Sequence, residues 1–426
     1  MSESAPFERH LVDDALALSA SWRDAFSLEG LIGPTLEDVA TLGVDVVAIG
    51  KAAPEMAGAA VATLGPAVRR TLVVSDEDGA RTTQLEVVVG EHPVAGAKSL
   101  FAANRLLDFL DGSCDADLTV FLLSGGASSL CALPVAPLDL SSLRAIWEAG
   151  LATGVDITTL NRLRAATSQI AGGAVLRRVR TARSRTLIEV DNVVSGAPWV
   201  GSGLTYDYDP ERDELDALID RFALRGTDLA REITLASATR HEVMARSSPP
   251  RVENVVVADP DLLLTSAANE ARRRGYHVVS LGSRVIGDVD EVVDQWTAML
   301  EGAASDPRPQ CVIGVGEITV RVSGGGLGGR CQEFAWSMAP ALAHLARPAA
   351  FVARSSDGRD FVAGVAGGWV DGGTLARAAG KNVDWSAVKR DHDSHRGLAA
   401  LDQLIDGGHT GWNLCDLYVA LLEGDA

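Results

Sequence analysis

Several common catalytic signatures are missing from this chain. It has no G-x-S-x-G, no Walker A G-x-x-x-x-G-K-[ST] and no H-E-x-x-H, which sets aside nucleophile-elbow hydrolases, P-loop nucleotide sites and zincin-type metalloproteases. Cysteine is scarce too. Cys114, Cys131, Cys311, Cys331 and Cys415 are odd in number and form no C-x-x-C pair, so neither a disulfide framework nor a zinc site is suggested. Positive charge is in deficit: 38 Lys and Arg against 57 Asp and Glu give a formal net charge of −19, which speaks against nucleic acid and anionic membranes as partners. An anionic substrate can then be held only by a local basic cluster.

A membrane span and a leader are not expected either. Leu118 to Leu138 is uncharged and long enough to cross a bilayer, but it carries Ser124-Gly125-Gly126-Ala127-Ser128-Ser129 in its middle and prolines at 134 and 137. Prolines there would break a spanning helix. The run reads instead as a buried strand, a glycine turn and a helix start. The beginning of the chain is acidic and lacks a basic region followed by an apolar one, so no signal peptide is expected and a reducing cytoplasm is the expected location.

What is present is 426 residues, 47% hydrophobic, in alternating strand and helix patterns. A sizeable core in two domains is expected. A helix is predicted from about Phe7 to Phe26, and strands at Val44 to Ile49, Leu72 to Ser75, Leu85 to Val89, Thr119 to Leu123 and Leu187 to Val190. Each strand ends in a glycine or proline break before a helical pattern, the logic of a doubly wound, Rossmann-like α/β domain whose ligands gather at the carboxyl ends of strands. The Arg246-Ser247-Ser248-Pro249-Pro250-Arg251 run is the clearest punctuation. It places the boundary between a domain of residues 1–248 and one of 249–426. Beyond it, strands are predicted at Val255 to Ala258, Val278 to Leu281, Cys311 to Val315, Thr319 to Val322 and Phe351 to Ala353.

The stretch Gly316 to Glu333, GEITVRVSGGGLGGRCQE, is the most informative. A strand, a glycine loop and a cationic helix start can hold an anion, because backbone amides and the helix dipole point at it. Gly324, Gly326 and Gly329 also satisfy G-x-G-x-x-G, yet the next strand ends in Arg354-Ser355-Ser356-Asp357 without an acid at its tip for a ribose. A glycine-rich turn with no ligand is the plainer alternative.

This stretch resembles the GET-T-V…G-x-GGR-N-Q-E signature of the glycerate 2-kinase family, whose C-terminal half is a MOFRL domain. Further family-like segments follow in order: Gly50-Lys51-Ala52-Ala53 with Met56, Gly90-Glu91-His92-Pro93, Ser124 to Leu130, Asn161 to Gly173, Asp191 with Ser202-Gly203, Ser356 to Asp360, and Thr410 to Asn413 with Asp416. The resemblance implies a kinase using ATP and Mg²⁺ on a small hydroxy acid or polyol, with D-glycerate the leading acceptor. It also implies an active site in the cleft between the two domains. A homodimer is left open.

Phosphoryl transfer asks for positive charge around the transferred group and carboxylates near the acceptor hydroxyl and metal. Under the resemblance, Lys51, Asp191 and Arg330 are the catalytic candidates. Ser124, Gly125, Gly126, Ala127 and Ser128 form one nucleotide cradle, and Gly325, Gly326, Gly328 and Gly329 with Glu317 the second. Arg164, Asn161, Ser202 and His92 fall to the acceptor, and Asp191, Asp357 and Asp360 to Mg²⁺. Plainer readings stand beside these: a surface lysine, a tight strand-to-helix turn, Arg330 paired with Glu333, and aspartates that shape a turn. The family pattern is degraded where Ala165, Ala166 and Ala171 stand in place of Lys, His and Lys, and around Asp191, where Val190, Asn192, Val194 and Ser195 replace the Ser, Val, Gly and Asp of S-D-V-x-G-D. A changed acceptor, a hydroxypyruvate reductase-like oxidoreductase and an inactive nucleotide-binding homologue are the alternatives.

Overall fold

Long runs of β-branched and aliphatic residues, each about one strand long, dictate the architecture. The computed structural model describes residues 6–76, 85–112 and 115–425. They form two compact units, one of Leu28–Ala258 and one that joins the segment ending at Ser27 to the chain from Asp259 onward.

The first unit is built on six strands: β1 (Val44–Ile49), β2 (Val68–Ser75), β3 (Glu86–Val89), β4 (Leu118–Leu123), β5 (Arg183–Glu189) and β6 (Arg251–Ala258). They pair in the order β3-β2-β1-β4-β5-β6, every pair parallel. Alternate residues of β1 serve different cores. Val47 and Ile49 pack with Leu72, Phe121 and Leu123, whereas Val46 and Ala48 pack with Val73, Val120 and Leu122 on the other face. A sheet covered on both faces explains the apolar runs within its strands, such as Val46 to Ile49 and Val120 to Leu123. The strand order reverses direction between β1 and β4, and a doubly wound sheet opens a crevice at that point.

The second unit holds β7 (His277–Ser280), β8 (Val285–Asp288), β9 (Gln310–Thr319), β10 (Ala349–Ser355), β11 (Val365–Asp371), β12 (Leu404–Asp406) and β13 (Asp416–Leu422). The order is β12-β11-β10-β13-β9-β7, with β8 also on β9; β7 and β8 run parallel to β9 and the other pairs are antiparallel. Trp296, Phe334, Phe351 and Tyr418 meet edge to face beneath the helix Arg330–His344. The helix Pro6–Leu18 packs on β10 and β13.

Three expectations are corrected. The Ser247–Pro250 turn is not a domain boundary, because it leads from the helix Asp228–Arg246 into β6, and β6 bonds to β5 with Leu187 opposite Val255. The division falls at 258/259 rather than 248/249, and the start of the chain belongs with the second unit. Cys311 to Val315 and Thr319 to Val322 are not two strands; one strand, Gln310–Thr319, runs through Gly314 and Gly316 and stops before Val320, and β8 lies so close that a Cβ at Gly316 would stand 1.9 Å from the Val285 carbonyl oxygen. Cys131, Cys311 and Cys331 are free and buried, Cys415 is buried, and Cys114 lies outside the described residues. Among the described residues no helix is long and apolar enough to cross a membrane.

Candidate active site

The loops after β1 and β4 lock together at the reversal of the first sheet. Gly50 leaves β1 at φ +139°, where a Cβ would lie 2.7 Å from the Ser124 carbonyl oxygen. The Lys51 amide donates to the Gly125 carbonyl at 2.9 Å, and the Ala52 amide donates to Ser124 Oγ at 3.0 Å. The buried Ser124 hydroxyl thus accepts from the loop after β1. The amides of Gly125, Gly126 and Ala127 bond to no other described residue.

Over Gly126 two side chains converge. A Cβ on this glycine would lie 3.2 Å from Lys51 Cγ and 3.3 Å from His92 Cδ2. Burial holds the His92 imidazole down, to about 4, with help from the charges of Lys51 and Arg164 and against the pull of Asp76. His92 is thus neutral at pH 7. Lys51 makes no ion pair among the described residues.

Beside this point opens a cleft lined by Ser128, Trp147, Arg164, Ala171 and Ser202 among others, and by no carboxylate among the described residues. Ser128 Oγ meets Ser202 Oγ at 2.7 Å, and Ser202 Oγ donates to Asn161 Oδ1 at 3.1 Å. Asn161 and Arg164 share the helix Ile157–Ala166, which Asp156 caps through the Thr159 amide at 2.8 Å. The Arg164 guanidinium lies 5.1 Å from the centre of the Trp147 ring, and burial lowers its pKa to about 10. It has no carboxylate partner among the described residues. Asp191 follows β5 at the same edge of the sheet, half-buried and outside the lining of the cleft.

In the second unit the glycine loop and the helix it feeds are occupied by the protein's own groups. Arg330 Nε donates to Asp416 Oδ2 at 2.6 Å, Nη2 to Asp416 Oδ1 at 3.3 Å and Nη1 to Glu317 Oε1 at 2.5 Å. Burial would lower the Arg330 pKa, but Asp416 and Glu317 outweigh it and hold the guanidinium charged. Asp360 accepts from the Cys331 and Gln332 amides at 3.0 and 2.8 Å and so caps the start of this helix. The Gly326 amide donates to the Asp391 carbonyl, and the Leu327 amide to Asp393 Oδ1, both at 2.9 Å. Chain segments approach these glycines closely: a Cβ at Gly326 would lie 2.5 Å from Asp391 O, at Gly328 2.2 Å from Ser394 Oγ and at Gly329 2.2 Å from Asp360 O. Of the glycines in this loop, only Gly325 has open space around it.

Residues 23–236 match a family described as a domain of unknown function, DUF4147, and residues 310–416 match the MOFRL family. A D-glycerate 2-kinase of Thermotoga maritima is 26% identical over 385 residues, 89% of this chain and 90% of that protein. A crystal structure of a glycerate kinase from Thermotoga maritima is similar with a TM-score of 0.85 at 25% identity, covering 97% of this chain and 100% of that one. A protein of Agrobacterium vitis named a putative hydroxypyruvate reductase is 30% identical over 394 residues, 88% of this chain and 86% of its own.

The chain belongs to the glycerate 2-kinase family.

Within this member of the glycerate 2-kinase family, Lys51, His92 and Gly126 come together at the sheet reversal. Arg164, Asn161, Ser128 and Ser202 come together at the cleft. Arg330 pairs with Glu317 and Asp416 rather than with Glu333, whose partners are Lys389 at 3.4 Å and His392 at 3.2 Å. Asp360 caps a helix, and Asp357 Oδ1 accepts from Ser355 Oγ and the Arg359 amide, both at 2.8 Å, shaping its own turn. No group of three or more His, Cys, Asp or Glu among the described residues could hold a metal.

Sequence reasoning missed Trp147 and the role of Asp416. Nothing in the local pattern marks Trp147, which sits on an ordinary amphipathic helix. Asp416 carried a signal, since it is an acid heading the otherwise uncharged strand Asp416–Leu422, and a buried carboxylate calls for a cation.

Proposed function

We propose that this chain is an ATP-dependent kinase that transfers the γ-phosphoryl group to a hydroxyl of D-glycerate, giving 2-phosphoglycerate, in a reducing cytoplasm. The observation that carries the reading is the convergence of Lys51 and His92 over Gly126 at the reversal of the first sheet, next to a cleft whose lining holds Arg164 and no carboxylate. Family membership supports it, as do the activities for which the Thermotoga maritima proteins are named.

The acceptor oxygen bonds to the γ-phosphorus, the bond to the departing ADP oxygen breaks, and the hydroxyl proton leaves to a carboxylate. Lys51 offsets the charge on the phosphoryl oxygens, and the amides of Gly125, Gly126 and Ala127 donate to the same anion. Arg164 takes the carboxylate of glycerate with a planar fork. The neutral His92 ring accepts or donates one hydrogen bond without adding charge. Asp191 receives the proton or contributes a carboxylate to the metal. Mg²⁺ usually takes one or two protein carboxylates and otherwise substrate phosphates and water, so a site without a three-acid cluster fits it; when bound it neutralises phosphate charge.

The reductase reading has less support. The turn after β1, Gly50-Lys51-Ala52-Ala53, has no G-x-G-x-x-G, and the loop that does is docked on residues 391–394. A coupled assay of ADP release with ATP, Mg²⁺ and D-glycerate tests the proposal. Turnover with glycerate is the expected result; NAD(P)H oxidation by hydroxypyruvate without ADP release would overturn it.

A further inference from the structure

The cleft holds a second cation that no motif marks. The helix Leu140–Thr153 carries Arg144 and Trp147 three residues apart, and both line the cleft with Arg164. Residues at i and i+3 share a helix face, so Arg144 stands on the face from which the Trp147 ring meets Arg164. Its helix is fixed at the start by Asp139, which accepts from the Ser142 amide at 3.0 Å.

Arg144 makes no ion pair among the described residues, although Glu148 follows one turn later. Arg162, Arg177 and Arg240 of the same unit each pair with a carboxylate. In a chain of net charge −19, two guanidiniums without an ion pair, exposed Arg144 and buried Arg164, in a lining that holds no acid among the described residues favour an anion in this cleft. Ala165 and Ala166 are fully buried, and Ala171 offers only a methyl group to the wall. Arg144 and Arg164 are therefore the two cationic side chains of this lining.

We propose that Arg144 binds the acceptor carboxylate together with Arg164 and so determines the preference for a hydroxy acid over a neutral polyol. This rests on the kinase reading above. A carboxylate has two oxygens, each able to take a charge-assisted hydrogen bond, so two guanidiniums can share it.

The test uses the full chain with Arg144→Gln and Arg144→Lys. Kinetics are measured with ATP against D-glycerate and against glycerol, and calorimetry measures D-glycerate binding directly. Arg144→Gln should raise both the KM and the Kd for D-glycerate by about ten- to a hundredfold, the range for removing one charge-assisted hydrogen bond. Turnover should stay within about threefold and the KM for ATP should not move, as when binding common to ground and transition states is removed. Arg144→Lys should recover part of the loss, and glycerol use should be unaffected.

An unchanged KM and Kd in Arg144→Gln, or a loss confined to kcat, would overturn the assignment. If the wild-type chain releases no ADP with D-glycerate, the kinase reading fails by itself, and calorimetry still decides this one. Binding that Arg144→Gln weakens upholds the assignment; absence of D-glycerate binding by the wild-type chain sinks it.

Discussion

Arg330 grips Asp416 with two nitrogens, Nε to Oδ2 at 2.6 Å and Nη2 to Oδ1 at 3.3 Å, and Asp416 is wholly buried on a central strand. Removing the guanidinium strands a carboxylate in the core. Arg330→Ala should therefore unfold at lower denaturant, with a loss near the lower end of about 3–5 kcal/mol because Arg330 itself is 35% exposed. Urea titration checks this. A variant as stable as wild type but with turnover roughly a hundredfold lower would return Arg330 to the transferred phosphoryl group.

Lys51 is the contrasting cation, with no carboxylate to hold. Lys51→Ala should leave the melting temperature nearly unchanged while lowering kcat by roughly two decades or more, as expected when a preorganised charge is lost. Near-normal turnover would make it an ordinary surface lysine.

Asp360 answers two backbone amides at the start of the helix Arg330–His344, and its Oδ2 also receives Gln332 Nε2 at 2.9 Å. Asp360→Ala should cost about 2–3 kcal/mol, a lost cap together with buried donors left unpaired. Were Asp360 instead a metal ligand, the variant would keep its stability and demand more Mg²⁺ for activity.

His92 gives the stability a pH dependence whose sign is fixed. Its folded pKa, about 4, lies below the unfolded value of 6.5, so between those values the unfolded chain binds the extra proton. Stability should therefore fall as pH drops from 6.5 towards 4 and level off below that. The residue is exposed to solvent, so the slope is shallow. Comparing urea midpoints of wild type and His92→Gln across this window isolates it; parallel curves would mean that His92 titrates normally.

Ala171 and Ala165 should respond differently to a lysine. Ala171 lines the cleft, so Ala171→Lys should lower the KM for D-glycerate roughly tenfold, because the new ammonium adds one charge-assisted hydrogen bond to the carboxylate. Ala165 is 0% exposed, and a Cβ at the nearby Gly172 would lie only 3.1 Å from its methyl. Ala165→Lys should therefore give insoluble or unfolded protein, since an unpaired charge cannot enter such a site. Equal solubility of the two variants would show that helix to be looser than its packing implies. A wild-type KM for D-glycerate well below about 1 mM, the weak end of the usual enzyme range, would show that these alanines leave glycerate use intact.

The first sheet was legible because its signals are local. Val46 to Ile49 and Val120 to Leu123 are apolar on both faces, and each strand ends in a glycine turn, so the strands, their parallel sense and the positions of Lys51 and Ser124 followed from periodicity. Membership of β6 was not legible, since Pro249-Pro250 resembles a linker and only the long-range pairing of Leu187 with Val255 reveals otherwise. The packing of the glycine loop was not legible for a related reason. Glycines that admit a ligand and glycines that admit another segment of chain look alike, and Asp391 and Asp393 lie more than sixty residues away. Arg330 was found as a cation, but its partner Asp416 stands 86 residues later.

The placement of β13 between β10 and β9 sets an order of events during synthesis. Of the described strands of this sheet, the one made last is a middle strand, so β10 and β9 have no common neighbour until it arrives. The first unit is continuous from Leu28 to Ala258 and can assemble while the rest is still being made. The helix Pro6–Leu18 precedes it in the chain yet waits longest for its surface, keeping Leu11, Val12, Ala15 and Leu18 uncovered until β10 and β13 are both present.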